Sequence, residues 1–334
     1  MKQIKFLLYA LFFMAFVVTS CDNEDEAPAD PVNESEILVQ YLESSDSPLG
    51  KDYVSTDMPS IMKATDVKTL NAIGQVYIMD IRSAEDFATG HIKNAVNVAA
   101  ADALSHIEEV NLADYTKVAV VCYTGQTAGW VTSILRLSGY DKAFSMKWGM
   151  CSWHDDFAGG WKNTVANGNA YASQFESTAY PKADKGGMPQ LSTGKTTGEE
   201  IFEARVAAVL AEGFGAAKVK NSEVFGNLSN YYVVNYWKNE HYTDPGHIPG
   251  AMQYTPKESM KFDVDLTTLP ADKQIAVYCY TGQTSAFLSA YLRILGYNAK
   301  SLLFGTNGMI YDKMLATGGM TVFKESDIMG YEYE

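Results

Sequence analysis

The chain is poor in cysteine, in histidine and in basic residues. Only four cysteines occur among 334 residues, without a Cys-x-x-Cys pair, and the five histidines are scattered. This scarcity argues against a disulfide framework and against a zinc site, and we expect no cofactor. The 26 basic residues are outnumbered by 40 acidic ones, which gives a formal net charge of −14. Such a surface argues against nucleic acid or anionic lipid as a partner.

No apolar run is long enough to be a comfortable membrane span. Lys2 and Lys5 precede an apolar stretch over residues 6–18, and small residues then lead to Cys21. A basic start, a short apolar core and small residues are typical of a secretory signal, here residues 1–20. The sequence that ends at Cys21 resembles the bacterial lipobox, in which the cysteine carries a lipid. We therefore predict a lipoprotein of the bacterial cell envelope, anchored through Cys21 on the periplasmic face or the outer surface of a membrane.

Basic residues are absent from the stretch that follows this signal. Residues 22–36 contain seven acidic side chains and no basic one, and Pro28 and Pro31 interrupt them. This composition predicts a disordered acidic tether, which we place over residues 21–52, with a short helix over residues 34–42 as an open alternative.

The chain does contain one hexapeptide twice, Cys-Tyr-Thr-Gly-Gln-Thr, starting at Cys122 and again at Cys279. Each copy follows a short run that is apolar at every position, which is typical of a buried strand in a parallel sheet. Each copy also precedes a stretch with helical periodicity that ends at Gly139 or Gly296. A cysteine is therefore expected twice at the point where a buried strand turns into a helix.

This position has chemical consequences for the two thiols. Backbone N–H groups point into the turn at the start of a helix, and the helix dipole adds positive charge there. We therefore predict that the pKa of each thiol is shifted down, toward the thiolate. Gly125 and Gly282 allow the backbone to curl tightly, and the threonine hydroxyls add hydrogen-bond donors. The expected result is a small cradle for an anion that is attached to sulfur.

A wider repeat surrounds the two hexapeptides. The cysteines lie 157 residues apart, and the Gly-His-Ile motifs that begin at Gly90 and Gly246 lie 156 apart. This spacing predicts two copies of one α/β domain, each a parallel sheet with helices on both faces and its site at the carboxyl ends of the strands. We place the first domain at residues 53–160, a surface connection at residues 161–198 and the second domain at residues 199–334.

These motifs resemble those of the rhodanese family of sulfurtransferases. The family's Cys-x-x-Gly-x-Thr loop is matched by both hexapeptides, and its Gly-Met-x-x-Trp element is matched at residues 149–153. Its Asp-x-Arg and Gly-His-Ile-x-x-Ala pattern, with an acid and an aromatic between them, is matched by Asp80, Arg82, Glu85, Phe87, Gly90, His91, Ile92 and Ala95. The likeness covers residues 57–160 and 215–325, so the chain is similar to a tandem rhodanese.

The resemblance implies a chemistry and a set of roles. Cys122 and Cys279 would be nucleophiles that take sulfane sulfur as a persulfide and pass it to a thiophilic acceptor or an acceptor protein. The implied donors are thiosulfate-like, polysulfide or mercaptopyruvate-like. Asp80 and Arg82 are interpreted as a structural scaffold. The other loop residues would bind the substrate and stabilise the charged sulfur: Tyr123, Thr124, Gly125, Gln126, Thr127, Tyr280, Thr281, Gly282, Gln283 and Thr284.

The chain departs from the family pattern in three respects. Familiar two-domain members keep the cysteine only in the second domain, whereas here both loops have it. Asn235 and Trp237 replace the Asp80 and Arg82 pair in the second copy. Neither loop contains Arg or Lys, which predicts weak use of the dianion thiosulfate. For Cys151 two hypotheses stay open: it exchanges sulfur or a disulfide with Cys122, or it is a buried inert thiol.

The residues argue against one alternative function and leave a second one open. Cysteine phosphatases share the rhodanese fold, but their longer loop closes on an arginine that binds the phosphate. The loops here close on Thr127 and Thr284, which argues against phosphoryl chemistry. A lipid-anchored persulfide carrier, or a non-catalytic rhodanese-like binding module, remains an alternative that the sequence does not separate from an enzyme.

Overall fold

Two five-stranded parallel sheets form the frame of residues 33–334, the part of the chain that the computed structural model describes. The first sheet has the order β1-β5-β4-β2-β3 and the second has the order β6-β10-β9-β7-β8, which is the same topology repeated. The strands of the first sheet are β1 Ile61–Met62, β2 Val76–Asp80, β3 Val96–Asn97, β4 Lys117–Val121 and β5 Ala143–Met146. Those of the second are β6 Lys218–Val219, β7 Tyr231–Tyr236, β8 Met252–Tyr254, β9 Gln274–Tyr278 and β10 Ala299–Leu302.

Helices cover the sheets, as expected for strands that are apolar at every position. We call the first sheet with its helices the first domain and the second sheet with its helices the second domain. The predicted duplicated α/β fold is thereby confirmed. The helices are α1 Glu34–Glu43, α2 Tyr53–Thr56, α3 Ala64–Ala72, α4 Ala84–Thr89, α5 Ala103–Glu108, α6 Gln126–Leu137, α7 Gly159–Ala166, α8 Gly198–Ala216, α9 Asn221–Gly226, α10 Asn239–Thr243, α11 Gln283–Ile294 and α12 Tyr311–Thr317.

The two domains meet along the helices that follow the hexapeptides, α6 and α11. Gly129 of α6 brings the helices close together, because a Cβ at this position would lie 3.1 Å from the Phe287 ring and 3.2 Å from the Gln283 carbonyl oxygen. The Ser133 hydroxyl donates to the Phe287 carbonyl at 2.9 Å across the same contact. The interface therefore places the two cysteine loops at the start of two helices that pack against each other.

The segment that follows the first domain contacts the second domain, and the segment that follows the second domain contacts the first. Residues 168–176, which we call the linker arm, form an antiparallel bridge from Glu176 to His247 of the second domain. Residues 328–334, the C-terminal arm, return to the first domain, where the His91 and Glu334 N–H groups donate to each other's carbonyls at 2.7 and 2.9 Å. Residues 328–334, which the sequence-based boundaries place in the second domain, therefore contact the first domain.

Two further segments differ from their sequence-based prediction. Within the region predicted as a disordered tether, the alternative of a short helix over residues 34–42 agrees with α1, because Leu38, Val39 and Leu42 form an apolar face that is buried in the core. Residues 21–32 lie outside the described part of the chain, as does the predicted signal with Cys21. The connection predicted for the surface begins inside α7, where Trp161 is fully buried. Among residues 33–334, no helix combines the length and the apolar character needed to span a bilayer.

Candidate active site

Each hexapeptide forms a tight loop between the central strand of its sheet and the following helix. Cys122 comes directly after β4, and Gly125 has the left-handed backbone conformation, with φ of 84°, that lets the chain enter α6. The N–H groups of Gly125 and Ala128 donate to Cys122 Sγ at 3.2 and 3.3 Å. The backbone thus wraps the sulfur with amide hydrogens, as the sequence predicted for an anion cradle.

The second loop has a similar geometry, with one backbone N–H on the sulfur where the first loop has two. Gly282 has φ of 77° at the start of α11, and the Ser285 N–H donates to Cys279 Sγ at 3.3 Å. The Cys279 thiol also contacts the Ser285 hydroxyl at 3.6 Å and the Thr281 hydroxyl at 4.0 Å. Two side-chain hydroxyls therefore supplement the backbone at Cys279.

A glycine that follows the last strand of each sheet supports its loop from behind. A Cβ at Gly149 would lie 2.3 Å from the Cys122 carbonyl oxygen, and one at Gly305 would lie 2.3 Å from the Cys279 carbonyl oxygen. The Met150 N–H donates to the Cys122 carbonyl at 2.8 Å, and the Thr306 N–H donates to the Cys279 carbonyl at 3.1 Å. Only glycine fits at these two positions, so the loop and the end of the sheet are fixed together.

The charge state of Cys122 differs from the sequence-based prediction. Burial raises the pKa of the Cys122 thiol above its ordinary value, and the amides of Ala128, Thr124 and Gly125 oppose the rise without reversing it. The prediction of a lowered pKa is therefore wrong for Cys122. The amide donors are present as predicted, but the prediction omitted the free-energy cost of moving a thiolate out of water. Cys122 is only 5% exposed, so this cost is large.

We expect the alkylation of Cys122 by iodoacetamide to follow this raised pKa. The thiolate is the reacting form, so the rate should keep rising with pH beyond the midpoint observed for a free thiol such as glutathione. Peptide mass spectrometry of the alkylated protein, taken over a pH series and scaled to the plateau rate, measures that midpoint. A Cys122 profile that is already at its plateau at neutral pH would contradict the assignment.

The residue that precedes each cysteine has a different partner in the adjacent strand of each domain. Asp80 is in register with Val121, and Asn235 is in register with Tyr278. In the first domain Arg82 Nη2 donates to Asp80 Oδ2 at 2.7 Å and to the Gly90 carbonyl at 2.8 Å, with both side chains of the ion pair 1% exposed. In the second domain Asn235 instead donates to the Tyr278 hydroxyl at 2.7 Å. Neither pair donates to the sulfur, so both hold the framework around the loop.

The tyrosine after each cysteine is held by side chains of its own domain. Tyr123 donates to Asp86 Oδ1 at 3.1 Å and lies under the Arg82 guanidinium, 5.2 Å from its ring centroid. Tyr280 stacks on Trp237 with centroids 5.1 Å apart, and its hydroxyl is 2.5 Å from His241 Nδ1. In the second domain the partners are Trp237, which directly follows β7, and His241 of α10, and no sequence motif indicates the contact between His241 and Tyr280.

The histidines of the Gly-His-Ile motifs have backbone partners. His91 Nδ1 lies 3.0 Å from the Phe87 carbonyl oxygen, and its ring stacks on the Phe87 ring. His247 repeats this arrangement, with Nδ1 2.6 Å from the Tyr242 carbonyl oxygen and its ring stacked on Tyr242. Both histidines therefore fix the turn that leads to the next strand.

The structure places the two loop glutamines between the domains. Gln126 Oε1 accepts from the Phe304 N–H at 2.7 Å, and Gln283 Oε1 accepts from the Trp148 N–H at 3.2 Å. The Gln283 amide also donates to the Gly125 carbonyl at 3.1 Å, so the second loop binds the first loop directly. Each glutamine side chain thus braces the opposite loop and does not face the sulfur of its own loop.

Replacing Gln283 with alanine should lower the free energy of unfolding by about 1–3 kcal/mol. The reason is that the Trp148 N–H would be left buried without a partner and the hydrogen bond between the two loops would be lost. Urea unfolding of the variant measures the loss, and Gln174→Ala serves as the matched control, because Gln174 is exposed and its side chain is free to contact water. Equal stability of the two variants would rule out the bracing role.

The surroundings of the two loops are different. The first loop is covered by Trp161, whose indole N–H donates to the Thr124 carbonyl at 3.1 Å and whose ring packs against Trp148 and Phe304. The second loop faces a cavity of about 190 Å³ that is lined by Tyr280, Thr281, Gln283 and Thr284 together with residues of the first domain. The duplicated sequence therefore leads to two unequal sites.

Cys151 lies behind the first loop and is fully buried. Its thiol donates to the Phe157 carbonyl at 3.0 Å, and burial raises its pKa to about 11, with negative charge on Cys122 adding to the rise. A thiol with this pKa is a poor nucleophile at neutral pH. The geometry favours the interpretation of Cys151 as an inert core thiol.

The fold and the paired loops define a class of protein, a duplicated α/β chain that presents a cysteine in an amide cradle at the end of a central parallel strand. The family model of the rhodanese-like domain matches residues 63–156 and 234–310, about half of the chain. The protein belongs to the rhodanese-like family, with two copies of the family's domain.

Parts of the chain are similar to individual proteins. An adenylyltransferase and sulfurtransferase, uba4, of Ogataea parapolymorpha is 25% identical over 87 residues, which are 26% of this chain and 22% of the relative. The chain thus matches about a fifth of the length of that relative. A human single-domain sulfurtransferase is 22% identical and covers 27% of this chain and 89% of its own, with a TM-score of 0.24. A thiosulfate sulfurtransferase of Pseudomonas aeruginosa is 17% identical over 80% of this chain and 45% of its own, with a TM-score of 0.28.

Proposed function

We propose that the protein is a sulfurtransferase in which the loop cysteines carry sulfur as persulfides. The observation that supports this most strongly is the repeated loop, in which backbone N–H groups donate to the cysteine sulfur, two in the first domain and one in the second. Such a cradle suits a sulfur that gains a second, negatively charged sulfur atom, because amide dipoles stabilise charge that develops beside them.

The transfer divides into two displacements at sulfur. The cysteine first loses its proton to solvent, and the thiolate attacks the outer sulfur of a donor such as thiosulfate. The new Sγ–S bond forms, the S–S bond of the donor breaks, and its electron pair leaves with sulfite. An acceptor such as cyanide then attacks the outer sulfur of the persulfide, forms thiocyanate and returns the electron pair to Sγ. One difficult transfer is thereby split into two easier ones.

Turnover by the full-length protein in detergent tests this function. The protein would be mixed with excess cyanide and with thiosulfate, a polysulfide or mercaptopyruvate in turn, and thiocyanate would be counted per protein molecule. A sulfurtransferase produces many equivalents. Release of at most one sulfur per loop cysteine would instead identify a carrier that serves an acceptor protein, and no sulfur on either cysteine would contradict sulfur transfer altogether.

We also propose that the protein acts at a bacterial membrane through a lipid on Cys21. The support is the basic and apolar N-terminal sequence that ends in the lipobox-like residues before Cys21. Cys21→Ser should move the protein from the membrane fraction to the soluble fraction and abolish lipid labelling, whereas Cys151→Ser serves as the control and should change neither. A Cys21→Ser protein that remains in the membrane fraction with normal processing would contradict the anchor.

A further inference from the structure

A cavity of about 330 Å³ lies in the first domain, between the start of α3 and the turn that follows β5. Its lining residues include no cysteine, so the cavity is separate from the chemistry proposed for the loops. The residues that line it are Lys63, Ala64, Thr65, Lys147, Trp148, Ser152, Asp327 and Met329.

The charges in this cavity are unbalanced. Lys63 and Lys147 contribute two positive charges and Asp327 one negative charge. Neither lysine forms an ion pair with a carboxylate among residues 33–334, and Asp327 Oδ2 accepts from the Lys324 N–H at 2.8 Å. Burial lowers the pKa of the Lys147 ammonium group; Asp327 opposes this effect, and the charge on Lys63 adds to it. An anion between the two lysines would offset both their repulsion and the cost of burial.

Neutral hydrogen-bond donors adjoin the two lysines. The ring of Trp148 lies under Lys147 Nζ, 4.8 Å from the centroid, and Trp148 is only 1% exposed. Its indole N–H has no acceptor among residues 33–334. The N–H groups of Ala64 and Thr65 are the first of α3 and have no acceptor within the helix. A buried donor without an acceptor is unfavourable, so a ligand that accepts from it gains affinity.

The duplicated fold provides an internal comparison. A cavity of about 380 Å³ occupies the corresponding place in the second domain, and Lys220, Leu303 and Phe304 line it. Leu303 is equivalent to Lys147, because the N–H of each donates to the carbonyl of the residue that ends the first strand of its sheet, at 3.0 and 2.8 Å. The lysine at the start of the helix is repeated as Lys220, whereas Leu303 and Phe304 have neither the charge of Lys147 nor the indole N–H of Trp148. The fold therefore creates the cavity twice, and only the first domain adds these groups to it.

We propose that the cavity of the first domain binds a small oxyanion, namely a sulfate, phosphate or carboxylate group, between Lys63 and Lys147. The anion is held and does not react, since no cysteine lines the cavity. The site therefore goes beyond the proposed sulfurtransferase function and does not depend on it. Its place in the fold is significant, because the Trp148 N–H donates to Gln283 of the second loop and the Trp148 ring packs against Trp161, which covers the first loop.

The test measures binding without sulfur transfer. Sulfate, phosphate and acetate, which have no sulfane sulfur, would each be titrated by calorimetry into the full-length protein in detergent. Lys63→Leu and Lys147→Leu should each weaken binding about tenfold or more, as expected for the loss of a charge-assisted hydrogen bond, and Lys147→Arg should keep most of the affinity. Asp327→Asn should strengthen binding, because it removes the opposing charge. Lys220→Leu is the matched control at the equivalent position and should have little effect.

Three results would overturn the site. The first is binding of none of the three anions, and the second is binding that Lys63→Leu and Lys147→Leu leave unchanged while both variants keep the melting temperature of the wild type. The third is binding that depends on Lys147 but not on Lys63, since it would place the anion in the cavity of about 190 Å³, which Lys147 lines and Lys63 does not. Anion binding that needs both lysines, in a protein whose loop cysteines take up no sulfur, would support the site and contradict the proposed function.

Discussion

Replacing Cys279 with serine should lower kcat/KM for thiosulfate by about a thousandfold or more, since removal of a covalent nucleophile leaves only the remaining binding and dipole effects. Cys122→Ser should have a far smaller effect on the same reaction. The reason for this asymmetry is that residues of the second loop line a cavity of about 190 Å³, whereas Trp161 covers the first loop.

Steady-state formation of sulfite or thiocyanate measures this difference. The two variants control for each other, because the same atom is replaced in the same hexapeptide. Equal losses in the two variants would contradict the asymmetry, and a small loss in both would show that neither loop cysteine is the nucleophile.

Asp80→Asn should lower the free energy of unfolding by about 3–5 kcal/mol. The Arg82 guanidinium would remain charged and buried without its partner, and such a group is strongly destabilising. The pair is 1% exposed on both sides, so water does not replace the lost carboxylate. Part of the damage should appear in the first loop, because Arg82 also lies over the Tyr123 ring.

Removing both charges should be less harmful than removing one. The second domain already has the uncharged pair Asn235 and Trp237 at the equivalent positions. We therefore expect Asp80→Asn/Arg82→Met to be more stable than Asp80→Asn alone, and urea unfolding of the two variants and of Arg82→Met measures the coupling. A loss below about 1 kcal/mol for Asp80→Asn would contradict the importance of this ion pair.

The sequence was sufficient for those features that are local or that repeat. The apolar runs before Cys122 and Cys279 form the central strands β4 and β9, and the glycines of the hexapeptides have the conformation that a strand-to-helix turn requires. The repeat of about 156 residues predicted the duplicated topology, since the same local signals recur in the same order.

Features that join distant parts of the chain were not predictable in this way. The linker arm contacts the second domain, the C-terminal arm contacts the first, and Gln126 and Gln283 each contact the opposite domain. All of these contacts join residues that are far apart in sequence, and no periodicity in the sequence indicates them. The acidic composition around α1 left disorder and a short helix as alternatives, and three apolar side chains on one helix face bury the helix.

The absence of Arg and Lys from both loops predicts weak use of thiosulfate by Cys122 and by Cys279, and this stays a prediction.

The central claim is that the loop cysteines hold sulfur, and the most direct test is the mass of each cysteine peptide after treatment with a donor. We predict an adduct of one sulfur atom, about 32 Da, on the Cys279 peptide first and on the Cys122 peptide more slowly, both removed by cyanide. Cys122→Ser/Cys279→Ser should show neither adduct. Sulfur found only on Cys151, or on no cysteine peptide with any donor, would contradict the claim.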